Sequence, residues 1–211
     1  MPQKPRPEPR KLPRQERSRA LVDAILTATA DLLEQQGPAF TLAEVGARAG
    51  VGSGSLYQYF PDRQTLIAAL IDRQLSHDRA ALEAFRTAPA QPLSALPELL
   101  VQGMLALYAE RPRAMTHMVA LLHELGRHAE VQALSQEFCE ALTLRLQAAQ
   151  PGASPAACRD AAQSAVFALL GVVRQVALDA PERLATDADV RARLCAVARA
   201  ALNVEAVSPA V

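Results

Sequence analysis

The stretch AGVGSGSLYQYF, residues 49–60, holds three of the nine glycines in the chain, followed by two of its three tyrosines. The 211-residue sequence is half hydrophobic and contains no tryptophan, so this concentration of aromatic side chains stands out. Upstream, Thr41 and Glu44 have the spacing of a capping box, which starts a helix, and Gly50 is well placed to end it. The stretch therefore predicts a glycine turn between two short helices, the second of which ends before Pro61.

The second short helix has two chemically different faces. Leu56 and Phe60 lie four residues apart, so they share one face and are expected to pack against the protein. The other side carries glycine, hydroxyl, phenol and amide groups, at Gly54, Ser55, Tyr57 and Gln58. An amide can pair with adenine, and a phenol can bond a phosphate oxygen. This pattern predicts a helix-turn-helix whose last helix enters the major groove of DNA.

Two other interpretations fit the glycine stretch less well. A dinucleotide-binding loop would need glycine where Ser55 stands and a strand before it, whereas residues 42–49 are predicted to be helical. A purely structural aromatic cluster accounts for Phe60 but not for Tyr57 beside Gln58.

Apolar periodicity predicts an all-α chain of about nine helices, since alanine and leucine dominate and β-branched residues are sparse. The predicted helices cover about 14–36, 41–49, 53–60, 62–86, 93–110, 113–127, 130–149, 155–179 and 187–204. Residues 1–13 contain five prolines and are predicted to be a disordered arm.

Charge is unevenly distributed although the net charge is zero. Residues 1–19 carry seven cationic and two acidic side chains, so the rest of the chain is net negative. A basic arm on a slightly acidic body predicts a polyanionic partner, with a merely solvated tail as the alternative. No continuous apolar run reaches the ~18 residues of a membrane span and there is no secretory signal, so we expect a cytoplasmic protein without a membrane partner.

The sequence shows no pattern typical of an enzyme. No paired histidines four residues apart, phosphate loop or nucleophile–base spacing is present, so we predict no catalytic residue, no metal and no cofactor. Cys139, Cys158 and Cys195 are far apart and are expected to be buried thiols, although a redox role stays open.

Residues 14–70 resemble the N-terminal DNA-binding domain of the TetR family of bacterial transcriptional repressors. The resemblance runs through AILTATADLLEQQGPAFTLAEVGARAGVGSGSLYQYFPDRQTLIAAL, residues 24–70. It implies a three-helix domain over 14–62 in which residues 53–60 are the recognition helix. It implies DNA contacts from Thr41, Ser53, Gly54, Ser55, Tyr57, Gln58, Tyr59 and Arg63. Departures at Gly46, Gly52, Ser53 and Tyr59 imply fewer charged contacts and a larger contribution from the basic arm.

The resemblance also implies a helical ligand-binding and dimerisation domain over 63–211. The segment from Ala165 to Val173 is apolar on every side, which predicts burial against both its own core and a partner chain. The predicted dimer residues are Phe167, Leu170, Val173, Val190, Leu194 and Val197. The predicted pocket residues are Met104, Tyr108, His117, Met118 and Arg174. Ordinary core packing of the methionines, an ion pair for Arg174, and a monomeric bundle are the alternatives.

These observations predict a repressor that binds a two-fold symmetric operator as a homodimer and is released by a small, largely apolar effector. Control by a partner protein, or no effector at all, is one alternative. A helical enzyme or metal protein with a vestigial DNA-binding head is another. The sequence leaves five points open: the effector, the operator sequence, the regulated genes, whether the output is repression or activation, and whether the N-terminal arm contacts DNA.

Overall fold

The computed structural model describes residues 12–204, with side chains from residue 18 onward, and all regular structure in this range is helical. The helices are α1 (Leu12–Gln36), α2 (Leu42–Ala49), α3 (Ser53–Tyr59), α4 (Arg63–Thr87), α5 (Leu96–Ala106), α6 (Pro112–Glu124), α7 (His128–Ala149), α8 (Pro155–Asp179), α9 (Arg183–Thr186) and α10 (Ala188–Ala201). A 3₁₀ turn, Leu93–Ala95, precedes α5.

The all-α prediction is confirmed, and the nine predicted helices correspond to α1–α8 and α10. The one-turn helix α9 was missed because four residues are too few to show periodicity. Helix α1 begins at Leu12, two residues inside the predicted arm, and the rest of that arm lies outside the described residues.

The helix ends are determined by local capping interactions. The Thr41 hydroxyl accepts a hydrogen bond from the Glu44 amide at 3.2 Å, and the Thr41 amide donates to the Glu44 carboxylate at 2.7 Å. Gly50 ends α2 in the left-handed conformation, with φ of 66°. The Asp62 carboxylate caps α4 by accepting from the Thr65 amide at 2.7 Å. Each of these ends had a sequence signal.

Buried side chains form two clusters. The first, which we call the head core, includes Ile25, Leu33, Val45, Leu56, Leu66, Leu70, Leu75, Met118 and Leu121. The second, the body core, includes Leu100, Val101, Leu142, Leu146, Leu169, Val173, Leu184, Leu194 and Ala198. The head core thus combines α1–α3 with the first half of α4 and with α6, which is distant in sequence. The division at residue 62 remains a prediction, to which the structure adds this non-contiguous packing.

Within the described residues, α8 is the one helix long and apolar enough to cross a membrane, with a mean hydropathy of 1.5 over 18 residues. The helix packs against α7 and α10, and it buries Ala165, Val166, Leu169 and Val173 in the body core. A core helix passes the same test of length and composition, so hydropathy alone does not indicate a membrane span here.

Candidate nucleic-acid interface

Helix α3 presents an uncharged polar face to solvent. Leu56 is fully buried in the head core and Phe60 is nearly so. The exposed side chains are those of Ser53, Ser55, Tyr57, Gln58 and Tyr59. Tyr57 is the most open of the aromatic ones, with 52% of its surface exposed. The amide of Gln58 and the phenol of Tyr57 are therefore available to a partner outside the chain.

The turn before α3 brings two helices into close contact. The Val51 amide donates to the Gly46 carbonyl at 2.9 Å. A Cβ placed on Gly46 would lie 3.1 Å from the Val51 carbonyl oxygen and 3.4 Å from a Leu56 methyl carbon. Glycine at this position leaves the turn and α3 room to pack against α2.

Gly54 differs from Gly46 because the protein itself does not require it. A Cβ on Gly54 would meet no atom within 4 Å, and its φ is not positive. Glycine in a helix is less favourable than alanine by about 1 kcal/mol. Its presence here is explained if another molecule must approach the backbone of α3 closely.

Two of the predicted DNA contacts hold the domain together. The Tyr59 hydroxyl donates to the Ser18 hydroxyl at 3.2 Å, which ties α3 to α1. The Arg63 guanidinium donates to the Pro38 carbonyl at 2.5 Å and lies 5.0 Å from the centre of the Phe40 ring. Arg63 therefore positions the start of α4 against the α1–α2 turn, and its phosphate contact remains a prediction.

At the start of α2, where a DNA contact from Thr41 is predicted, a carboxylate of the protein is bound to Thr41. Glu44 accepts hydrogen bonds from the amide of Thr41 at 2.7 Å and from its hydroxyl at 2.8 Å. The backbone bond from Thr41, followed by the hydroxyl bond, lowers the pKa of Glu44, so this carboxylate is ionised near neutral pH. A phosphate that binds at Thr41 has to displace it.

Two arginines of the head, on α2 and α4, are committed to partners on α1. Arg48 of α2 pairs with Asp31 at 3.4 Å and donates to the Gln35 side chain at 2.9 Å. Arg73 of α4 donates to the Leu26 carbonyl at 3.0 Å. Arg19, by contrast, is exposed. The α3 face is therefore suited to hydrogen bonding, and the charge needed for phosphate is concentrated towards the N-terminus.

The five predicted pocket residues are divided between the two cores and the surface. Met118 is buried in the head core, and His117 packs against the α1–α2 turn, with its ring 3.2 Å from the place of a Cβ on Gly37. Tyr108 belongs to the body core and Met104 packs against it. Arg174 is exposed on α8. The residues were chosen by composition, and their positions on different helix faces separate them.

Two open grooves flank α7 instead. The groove between α7 and α8 has a volume of about 580 Å³ and includes Cys139, Thr143, Leu144, Gln147, Gln163 and Phe167 in its lining. A second groove of about 690 Å³ lies between α7 and the segment that follows α4. Sequence reasoning missed both because a groove depends on how neighbouring helices pack.

The predicted dimer residues divide between the core and the surface. Val173, Val190 and Leu194 are buried in the body core, so they face their own chain, and Val197 packs against that core. Leu170 and Phe167 are exposed, the latter by 55%. Sequence reasoning missed Leu178, which is 65% exposed and lies 11 residues after Phe167 on the same side of α8. We call the surface of Phe167, Leu170, Gly171 and Leu178 the α8 face.

In the part of the chain that the structure describes, no group of three or more histidine, cysteine, aspartate or glutamate side chains is placed to hold a metal ion. All three cysteines are buried and none of them forms a disulfide, and burial raises the pKa of Cys139 and of Cys195.

Comparison with known proteins identifies DNA-binding regulators as similar to the N-terminal part of this chain. The family model for bacterial regulatory proteins of the tetR family matches residues 25–70. The HTH-type transcriptional regulator AcrR of Shigella flexneri is 30% identical over 120 residues, which are 54% of this chain and 55% of that protein. The chain thus spans about half the length of this curated relative.

Solved structures share the overall fold. SmeT, the repressor of the Stenotrophomonas maltophilia multidrug efflux pump SmeDEF, has a TM-score of 0.60 at 22% identity, over 86% of this chain and 88% of SmeT. The SmeT–triclosan complex has a TM-score of 0.58 at 23% identity, over 85% and 91% of the two chains. The N-terminal helices of the chain thus match the tetR family of bacterial regulatory proteins over residues 25–70, and the chain as a whole shares its fold with these solved structures.

Proposed function

We propose that the protein is a cytoplasmic transcriptional regulator, most simply a repressor, that binds a two-fold symmetric DNA operator as a homodimer. The observation that carries this proposal is the division of α3 between Leu56 and Phe60, which are buried, and the polar groups of Tyr57 and Gln58, which are exposed. The match of residues 25–70 to the tetR family model and the similarity to AcrR support a role in transcription regulation rather than in catalysis.

The chemistry of the α3 face favours recognition by hydrogen bonds. Gln58 can donate to and accept from adenine in the major groove, and Tyr57 can bond a phosphate that sets the register. Gly54 allows close approach of the backbone. Because the described cations near α3 are paired, the basic residues before Arg19 supply most of the charge for phosphate contacts.

The α8 face is the surface proposed for dimerisation. Leucine and phenylalanine side chains this exposed are costly in water, and they lie together on one side of a long helix. Gly171 lies among them, and a Cβ there would meet no atom of its own chain, so two copies of α8 can cross closely at this point. A two-fold pair of chains would also present paired recognition helices to paired half-sites.

A small, largely apolar effector is the proposed signal. SmeT, which shares the fold, has been solved in complex with triclosan. The α7–α8 groove offers an apolar side chain at Leu144 beside the polar groups of Thr143 and Gln147. A coupling free energy of about 1–3 kcal/mol between effector and DNA would suffice to change occupancy. A screen for ligands that raise the melting temperature distinguishes this proposal from control by a partner protein.

The DNA-binding proposal is tested by selecting duplexes from a random pool and measuring their affinity by fluorescence anisotropy. Gln58→Ala should lower the affinity for the selected duplex about tenfold or more, since a bidentate contact to a base contributes about 1–3 kcal/mol. Tyr57→Phe should weaken binding to a smaller extent. Gln102→Ala, an exposed glutamine on α5, is the matched control. Wild-type affinity in both α3 variants would reject the assigned face.

A further inference from the structure

The groove between α7 and the segment that follows α4, which we call the linker groove, has a volume of about 690 Å³ and a lining of mixed character. Glu140 and Ala148 of this lining are eight residues apart on α7, which is about 12 Å along the helix axis. Glu140 therefore lies towards one end of the linker groove and Ala148 towards the other. The apolar lining includes Pro92, Ala148 and Ala149, and the charged lining consists of Arg86, Glu140 and Arg145.

The guanidinium of Arg145 is held at the end of α4 by three backbone carbonyls. It donates to the Ala88 carbonyl at 2.8 Å, to the Pro89 carbonyl at 3.3 Å and to the Phe85 carbonyl. Its central carbon lies 4.5 Å from the centre of the Phe85 ring. Because Pro89 has no amide N–H, it cannot give the Phe85 carbonyl a helical hydrogen bond, and Arg145 supplies one instead. The positive charge of Arg145 therefore lies beside the last residues of α4, which include Arg86.

These bonds leave the guanidinium of Arg145 incompletely satisfied. A guanidinium has five N–H donors, and here they bind three carbonyls. Among the buried side-chain nitrogen and oxygen atoms of the described residues, Nε of Arg145 is the one without a hydrogen-bond partner. Nor do the ion pairs of the described residues include Arg145. Because a buried donor without a partner is uncommon and a partly buried cation favours an anion, an anionic acceptor in the linker groove would complement Arg145.

The other two charged side chains of the linker groove differ in sign. Arg86 pairs with Glu137 at 3.9 Å, and 41% of its side chain is exposed, so the pair is weak and Arg86 is able to bind a further anion. Glu140 is exposed and lines both grooves of α7. The lining of the linker groove thus contains two cations and one anion, which favours a ligand with a negative charge.

We propose that the linker groove binds an amphipathic carboxylate, whose carboxylate contacts Arg145 and Arg86 and whose hydrocarbon chain lies along Ala148, Ala149 and Pro92. A guanidinium matches a carboxylate in shape and charge, and its hydrogen bonds to an ion are stronger than those to a neutral group. The alanines leave room for a hydrocarbon chain because their side chains are short. The site is separate from the α7–α8 groove and requires no DNA, so this inference goes beyond the proposed function.

Titration calorimetry of the intact, DNA-free protein with octanoate tests this proposal, and octanamide serves as a neutral ligand of the same length. Octanoate should bind about fivefold or more tightly than octanamide, because the ionised carboxylate attracts both arginines. This preference should decrease at high salt, since ions screen the charge of the exposed Arg86.

Two substitutions at exposed positions test the charges without changing the bonds of Arg145. Arg86→Gln should lower the affinity for octanoate about threefold, and Glu140→Gln should raise it by a similar factor, while neither changes the affinity for octanamide. Arg145→Gln should abolish the preference for octanoate. Because Arg145→Gln also removes the bonds to the end of α4, its melting temperature is measured in parallel, and the other two variants decide the question if it does not fold.

A third pair of variants tests the apolar end of the linker groove. Ala148→Leu should lower the affinity for octanoate severalfold, because the larger side chain occupies the place of the hydrocarbon chain. Ala133→Leu, at another exposed alanine of α7 outside both grooves, is the matched control. No binding of octanoate by the wild type, equal affinities for octanoate and octanamide, or equal binding by the two leucine variants would overturn the proposal. A protein that binds octanoate as expected but binds no DNA duplex would reject the DNA-binding proposal and leave this one intact.

Discussion

Gly54→Ala separates stability from DNA binding, because the two should change in opposite directions. The added Cβ meets no atom of the protein within 4 Å, and the backbone φ is one that alanine adopts readily. Alanine in place of glycine stabilises a helix by about 1 kcal/mol at most positions. In a chain of this size, that corresponds to a rise of about 2–4 °C in melting temperature as an upper value, since α3 is short.

The same methyl group should weaken DNA binding. If α3 lies in the major groove with Gly54 facing the duplex, the Cβ forces the helix outward and lengthens the hydrogen bonds of Gln58 and Tyr57 to the DNA. When such a contact is lost, the affinity falls tenfold for each ~1.4 kcal/mol of binding free energy that the contact contributed. Operator titrations by fluorescence anisotropy and thermal unfolding of the same samples measure the two effects.

Gly103→Ala is the control for this experiment. Gly103 lies in α5 and is exposed, and a Cβ placed on it would likewise meet no atom within 4 Å. The substitution should give a similar rise in melting temperature with unchanged DNA affinity. A Gly54→Ala protein that is stabilised and still binds the operator like the wild type would refute the close approach of the duplex to α3.

Four further outcomes are expected. Phe167→Glu should yield monomers in sedimentation experiments whereas Val119→Glu, on α6, should not, since only the α8 face is proposed to be covered. Arg63→Ala should lower the melting temperature by about 2–4 °C per kcal/mol lost, because a hydrogen bond and an aromatic contact go with it. The pKa of Asp62 is lowered by bonds from Thr65, so the stabilisation of the fold by this carboxylate is present above about pH 4 and is lost as pH falls through the folded pKa. With Asp62→Asn, the melting temperature should therefore depend less on pH at acidic pH. Deletion of residues 1–11 removes four cationic side chains and should reduce the slope of log affinity against log salt by up to about 3.6 for each chain bound.

The features that sequence predicted are local ones. Thr41 with Glu44, Gly50 and Asp62 act through bonds to neighbours three to five residues away, so their types and spacing suffice to locate helix ends. The inward orientation of Leu56 follows from helix geometry in the same way. Helices α1–α4 were therefore predicted from the sequence with nearly their observed bounds.

The features that sequence missed depend on distant packing. In a segment that is apolar on all sides, such as residues 165–173, nothing local decides which side faces its own chain, and Val173 lies in the body core rather than on the predicted dimer surface. On α10, Val190 and Leu194 also lie in the body core. His117 was grouped with the pocket because of neighbouring methionines, yet its contact is the turn at Gly37. The bond from Arg63 to the Pro38 carbonyl was not predicted, and the DNA contact of Arg63 stays a prediction.

The placement of α6 in the head core has a consequence for how the protein is made and re-engineered. During synthesis the head core is incomplete until Leu122 has left the ribosome, so α4 leucines such as Leu70 remain partly exposed until then. A fragment that ends with α4 would carry the same exposed surface. Grafting this head onto another body to change DNA specificity will therefore require residues 112–127 to be transplanted along with α1–α4.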